Sequence, residues 1–266
     1  MVVKRVDLGD GAYMDAYIAD VIDTYERKAI LVIPGGGYVE VCFGREGEPI
    51  AHAFVAKGFN AFVLHYSVDR TRKFPAQLIE ASLAIKNIRD NCDEYGINKE
   101  EVYAVGFSAG GHLCGSLGIL WDNKEVYEKI DMPLGYNKPK GIILMYPVVT
   151  CDERYGHMGS FYNMFCDDNV SEEEMKTASL ELHVNESSSP AFIFHAADDP
   201  CVPVENALML AGAYSRSKVP FELHIYPEGA HGFALGNDIT MIYSPDLGRR
   251  GLSSWVDSAV SWMESL

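Results

Sequence analysis

Positive charge is scarce in this 266-residue chain. Twenty-two Lys and Arg stand against 38 Asp and Glu, a formal net charge of −16. A chain this acidic repels nucleic-acid phosphates and anionic lipid headgroups, which argues against both as partners. The carboxylate excess reads as a solubility feature. Long apolar runs are also lacking. No stretch reaches the roughly 20 residues that span a bilayer. The start, Met1-Val2-Val3-Lys4-Arg5-Val6-Asp7, has no apolar core of a secretory leader, so the cytoplasm is the expected location. Among the six cysteines (Cys42, Cys92, Cys114, Cys151, Cys166 and Cys201) there is no Cys-x-x-Cys pair and no alternation with His at zinc spacing. They are expected to be reduced thiols, with no metal and no cofactor. Internal repeats, low-complexity tracts and Pro/Ser-rich linkers are absent too. With 48% hydrophobic residues, the expectation is one packed domain over residues 1–266.

What is present is a regular alternation. The first thirty residues read as an antiparallel hairpin about Gly9-Asp10-Gly11. Lys28–Ile33 is a continuous apolar run, as expected of a strand buried on both faces, and it ends in Pro34-Gly35-Gly36-Gly37-Tyr38. A helix from about Glu48 to Lys57 and a strand over Asn60–Tyr66 follow. Pro75 opens a helix with Leu78, Ala81, Leu83, Ile85 and Ile88 near one face. Further strands are expected over Val102–Gly106, Gly141–Tyr146, Ala191–His195 and Phe221–Tyr226. A helix is expected over Glu205–Arg216, and an amphipathic one at the C-terminus. Repeated strand–helix alternation predicts an α/β fold, a mostly parallel central sheet with helices on both faces. Residues 148–189 break the rhythm. They read as an irregular, acidic and aromatic insertion, a small cap over the carboxyl ends of the strands.

The chemistry is concentrated at Gly106-Phe107-Ser108-Ala109-Gly110. A Gly-x-Ser-x-Gly directly after an apolar strand and before a helix forces a tight turn. Side chains at the glycine positions would strike the neighbouring strand or helix, and the serine is held in a strained, exposed pose. A serine hydroxyl is a weak nucleophile and needs a base, which in turn needs an orienting carboxylate. Both should follow later strands, in the order serine, acid, histidine. His231, in Gly229-Ala230-His231-Gly232-Phe233, meets the requirement for the base. His65, His195 and His224 lie in or at the ends of strands and suit core or supporting roles. His112 lies one turn beyond Ser108 and should point inward, and His52, His157 and His183 fall in helical or insertion regions. For the acid, the Asp-x-x-Val-Pro pattern favours Asp199, whereas Asp198 suits an Asx-turn or a solvated neighbour. Oxyanion donors are expected from the N–H of Ala109 and from the turn Gly35-Gly36-Gly37, where only glycine allows close approach. That turn has neither spacing of a phosphate-binding loop.

With these motifs, the chain resembles the α/β-hydrolase superfamily over nearly its whole length. It is most similar to bacterial acetyl esterases, xylan esterases and small-ester lipases, near the hormone-sensitive-lipase and dienelactone-hydrolase branches. The resemblance implies Ser108 as nucleophile with Asp199 and His231 as its partners, and the N–H groups of Gly36, Gly37 and Ala109 as oxyanion hole. Two departures matter. Pro34 stands where lipase-type members carry His before the three glycines, and the nucleophile is serine where the dienelactone branch has cysteine. The expected activity is hydrolysis of short acyl esters, acetyl above all, with acetylated sugars or xylo-oligosaccharides as candidate small-molecule substrates. Asp152, Glu153, Asp167, Asp168, Glu172, Glu173 and Glu174 make the insertion too acidic for a lipase lid. Tyr155, Phe161, Tyr162 and Phe165 suit either stacking on a sugar face or packing of the cap. Two alternatives are weaker. A prolyl-oligopeptidase-like peptidase would need a selecting domain for which these 266 residues have no room, and a non-catalytic binding protein of this fold would typically lose one of the three residues.

Overall fold

Eight strands form one sheet in the computed structural model, which describes residues 1–20, 25–240 and 251–266. The hairpin pairs β1 (Val2–Gly9) with β2 (Ala12–Ile18). Its turn needs the glycines, because Gly9 and Gly11 both adopt φ +87°. The remaining strands are β3 (Arg27–Ile33), β4 (Asn60–His65), β5 (Ile97–Phe107), β6 (Ile142–Met145), β7 (Ala191–Ala196) and β8 (Phe221–Tyr226). Their spatial order is β1-β2-β4-β3-β5-β6-β7-β8. Only the pairings of β2 with β1 and β4 are antiparallel. From β4 to β8 every neighbour is parallel, as expected for strands joined through helices.

The connecting helices are α1 (Glu48–Ala56), α2 (Ala76–Asp90), α3 (Cys92–Tyr95), α4 (Ser108–Ile119), α5 (Lys124–Lys129), α6 (Met158–Phe165), α7 (Glu172–Lys176), α8 (Glu205–Ser217) and α9 (Trp255–Glu264). They cover both faces of the sheet. Leu31 and Ile33 of β3 share one core with Leu78, Ala81, Ile85 and Ile88 of α2, while Ile30 and Val32 share the other with Phe54 of α1 and Trp255 of α9. Each aliphatic or aromatic side chain buried this way contributes about 1.5–3 kcal/mol of transfer free energy. Leu83, expected on the same face of α2, is only half-buried. Among the described residues, no helix is long and apolar enough to cross a membrane.

Chain order reverses at β3, which has β4 on one side and β5 on the other. A crevice opens at the carboxyl ends of the strands at such a point, because the two connections leave in opposite directions. The Gly-rich turn after β3 and Ser108 after β5 are therefore brought together there.

The insertion is more regular than its sequence suggests. It contains α6, α7 and a single 3-10 turn at Leu180–Leu182. Phe161 and Phe165 are buried in the core beneath α6, so of the two roles open to the aromatics these two rings take packing of the cap. Tyr155 and Tyr162 remain half-buried.

Candidate active site

Ser108 takes φ +53°, a left-handed conformation that a non-glycine residue holds only when its surroundings impose it. The surroundings are crowded. A Cβ on Gly106 would collide with the Gly110 carbonyl, and one on Gly110 with the carbonyls of Ile33 and Pro34. The turn thus places the start of α4 directly against β3 and raises the serine hydroxyl above the sheet. Its Oγ lies 2.8 Å from Nε2 of His231. Nδ1 of the same ring donates to Oδ2 of Asp199 at 2.7 Å. Because a carboxylate only accepts, Nδ1 carries the proton and Nε2 is left as acceptor for the serine. The other oxygen of Asp199, Oδ1, accepts from the N–H groups of Cys201 and Val202, both at 2.9 Å. Burial works to raise the Asp199 carboxyl, but the hydrogen bond and charge of His231, with these two N–H donors, outweigh it and hold the group below its usual range. Asp198 is not in this line. Its Oδ1 accepts from the N–H of Gly229 at 2.7 Å and ties down the loop that carries His231.

The Gly-rich turn faces the serine. A Cβ at Gly35 would stand 2.6 Å from the Phe107 carbonyl oxygen and 2.9 Å from Cβ of Ser108. Gly36 and Gly37 have φ +130° and +64°. Among the described residues, no protein group accepts from the N–H of Gly36 or Gly37. The N–H of Ala109 belongs to the first turn of α4, where no helical carbonyl stands behind it. Three backbone N–H groups, those of Gly36, Gly37 and Ala109, are thus left without a protein acceptor among the described residues.

Two long-range contacts around the turn have no sequence motif. Glu46 is 1% exposed, and its carboxylate accepts from the N–H of Gly35 at 2.9 Å and from the Tyr146 hydroxyl at 3.0 Å. The Tyr146 hydroxyl in turn accepts from the N–H of Ala234 at 3.1 Å, and its ring packs edge-on to His231 with centroids 5.0 Å apart. One buried carboxylate therefore links the Gly-rich turn to the histidine loop. On the other side, Asn163 of α6 donates to the Gly37 carbonyl at 3.0 Å, which docks the insertion on the turn.

The remaining histidines divide as their positions suggested. His195 is fully buried and donates from Nε2 to the Val202 carbonyl at 2.9 Å, supporting the Asp199 turn. His65 stacks on Tyr13, and His224 pairs with Glu222. His112 points inward. Its Nε2 donates to the Ala178 carbonyl at 2.7 Å and its Nδ1 accepts from the Tyr38 hydroxyl at 2.8 Å. Burial pushes its pKa from 6.5 down to about 4, against a smaller upward pull from the Ala178 carbonyl. Between those two values the unfolded chain holds a proton that the folded protein does not. The stabilising effect of neutral His112 is complete above about pH 6.5 and is lost as pH falls through about 4, a change of about 3 kcal/mol. Urea midpoints measured from pH 7 to 4 should therefore fall, and His112→Gln should show a shallower slope. Parallel slopes for the two proteins would contradict the assignment.

A cavity of about 730 Å³ lies within the insertion. Its wall includes Asp152, Arg154, Glu172, Lys176 and Glu181, but neither Ser108 nor His231. Nearer the Gly-rich turn, the side chains of Tyr38, His112, Val148, Phe161 and Met164 pack with no gap between them wide enough for a water.

A strained serine, a histidine and a buried carboxylate in one hydrogen-bonded line, facing free backbone donors, are what acyl transfer requires. The family model BD-FAE matches residues 14–214. The chain belongs to the BD-FAE family. The fold is that of the α/β-hydrolases, as the sequence resemblance implied. This BD-FAE family member is 39% identical over 223 residues to endo-1,4-beta-xylanase B of Butyrivibrio fibrisolvens, a match that covers 81% of the chain and 34% of the xylanase. It is 29% identical to the acetylxylan esterase of Xylanibacter ruminicola, over 87% of the chain and 45% of that protein. The chain therefore spans less than half the length of these two relatives. Among solved structures, the acetyl ester-xyloside bifunctional hydrolase from Caldicellulosiruptor lactoaceticus is similar over 98% of this chain and 96% of its own, with 31% identity and a TM-score of 0.84.

Proposed function

We propose that the chain is a serine carboxylesterase that removes short acyl groups, acetyl above all, from a polar alcohol such as a sugar or xylo-oligosaccharide. The carrying observation is the line from Ser108 through His231 to Asp199. In this reading His231 takes the Ser108 proton as Oγ bonds to the ester carbonyl carbon. The negative oxygen of the tetrahedral species is held by the N–H groups of Gly36, Gly37 and Ala109. His231 then returns the proton to the departing alcohol oxygen as its bond to carbon breaks, leaving an acyl-serine. Water enters in place of the alcohol and the same steps free the acid. Residues 1–266 act as one domain, with 148–189 as a cap over the site. All six cysteines are unpaired, which suits a reducing compartment such as the cytoplasm.

The short-acyl preference is supported by what surrounds the turn. The side chains of Tyr38, His112, Val148, Phe161 and Met164 close up near Gly37, and the roomier cavity in the cap, walled by charged groups together with Met158, Val170, Met175 and Leu182, includes neither Ser108 nor His231. A dedicated acyl tunnel would add about 0.8 kcal/mol of binding per methylene. Without one, kcat/KM on p-nitrophenyl esters should fall from acetate through butyrate to octanoate, and acetate should be released from acetylated xylo-oligosaccharides. Activity that rises toward octanoate would overturn the short-acyl reading. Failure on every acetylated sugar would overturn the sugar part alone.

A further inference from the structure

A second histidine flanks the site. His157 stands at the N-terminal end of α6, in the cap, and its Nδ1 lies 2.8 Å from the Ser160 hydroxyl oxygen. That hydroxyl stands 4.0 Å from where a Cβ on Gly37 would be, so the pair lies against the proposed oxyanion turn. The rest of α6 is held in place by Asn163 on the Gly37 carbonyl, and the loop before it by Asn206, which donates to the Tyr155 carbonyl at 2.8 Å. His157 thus sits on a segment fixed at both ends. Burial, and then the nearness of His231, lower its pKa, so the ring is neutral in the neutral pH range. Among the described residues nothing pairs with its Nε2, and the ring is half-buried rather than sealed in.

We propose that His157 is a specificity-determining contact to the alcohol portion of the ester, with Nε2 hydrogen-bonding a hydroxyl of that alcohol. This rests on the serine-esterase reading. For His231 to protonate the departing oxygen, that oxygen must come within about 2.6–3.2 Å of its Nε2. The His157–Ser160 pair lies against the Gly37 turn and the ring feels the charges of both His231 and Asp199, so it borders the space through which that oxygen departs with the alcohol. The contact with Ser160 commits one ring nitrogen and leaves the other, as a single donor or single acceptor, for the substrate. A sugar hydroxyl satisfies either state because it both donates and accepts. A p-nitrophenyl group has no hydroxyl to offer. His157 and Ser160 do not form a second catalytic pair, because among the described residues no carboxylate hydrogen-bonds the ring, and Ser160 is buried within the first turn of α6.

The test compares kcat/KM on an acetylated methyl xyloside and on p-nitrophenyl acetate for the unaltered protein, His157→Ala and His157→Gln. Removing a neutral hydrogen bond should cost about 3- to 10-fold. His157→Ala is expected to lose that factor on the xyloside beyond whatever it loses on the aryl ester, mostly through KM. His157→Gln, which can return a polar atom near the Nε2 position, should regain most of the ratio. Equal losses on both substrates, an unchanged ratio, or a glutamine variant no better than alanine would overturn the proposal. An unaltered protein that cleaves the aryl ester but not the xyloside would overturn it while sparing the esterase reading. Inactivity on both, with no phosphonate labelling of Ser108, would defeat the esterase reading itself.

Discussion

Replacement of Ser108 by alanine is expected to lower kcat by about three to six orders of magnitude while the protein remains folded. The span is wide because removing the nucleophile exposes whatever residual rate binding and the oxyanion donors sustain. Folding should survive because alanine keeps the Cβ that stands against the Gly35 turn and loses only the hydroxyl, whose one side-chain hydrogen bond among the described residues is to the His231 ring. The small side chain of alanine also tolerates the φ of +53° no worse than serine does. A serine-directed phosphonate should accordingly label the unaltered protein at Ser108 and leave Ser108→Ala unmodified. Other serines serve as controls. Ser189 is fully buried and donates to the Pro139 carbonyl at 2.7 Å, and Ser187 donates to Asn185 at 2.6 Å. Neither has a histidine within hydrogen-bonding reach. Ser160 does have one, so labelling at Ser160 with Ser108 untouched would move the reaction to the cap and overturn the assignment.

Much of this arrangement was legible in the chain because the signals involved are local. The Ala29–Ile33 run is apolar throughout because β3 is covered on both faces, and Gly106 and Gly110 are glycines because the backbone of a neighbouring element touches them, α4 at Gly106 and the end of β3 at Gly110. Asp199 and His231 each follow a strand directly, so a strand boundary places them. What escaped is held by contacts distant in sequence. The first residues of β5, Asn98 to Glu101, are polar and resemble a loop, yet the strand extends to Ile97 at its start, where it pairs with Arg27. Helix α6 spans only eight residues and contains Gly159 and Asn163, a weak local preference. It forms because Phe161 and Phe165 are buried beneath it and Asn163 reaches Gly37. Glu46 reads as an ordinary acidic residue next to Arg45, and only the fold brings it to Tyr146, one hundred positions away. His157 reads in sequence only as a residue of the insertion, because nothing nearby indicates that this loop comes up against Gly37 through Ser160.

Asp199→Asn should be nearly as damaging as loss of the serine, at about ten-thousand-fold in kcat, although it changes one atom. The geometry explains why. In the native line, the carboxylate accepts from Nδ1 of His231 at 2.7 Å and so keeps Nε2 unprotonated toward Ser108. An asparagine would keep its carbonyl on the N–H groups of Cys201 and Val202, which Oδ1 already serves at 2.9 Å, and would turn its amide toward the ring. An amide donates, so Nδ1 would have to accept and the ring proton would move to Nε2. The histidine would then present a donor to the serine and could not take its proton, and the negative charge that stabilises the imidazolium would be gone. The neighbouring residue supplies the contrast. Asp198 accepts one backbone hydrogen bond, from Gly229 at 2.7 Å, and the carbonyl of asparagine can accept the same bond. Asp198→Asn should therefore cost stability by about 1 kcal/mol or less and leave turnover within a few-fold. The two variants, measured side by side for kcat and urea midpoint, separate the orienting carboxylate from the one that fastens the loop. A severe kcat loss in Asp198→Asn with a mild one in Asp199→Asn would mean that the imidazole takes its orientation from the other aspartate, and that the line from Ser108 through His231 to Asp199 is not the working one.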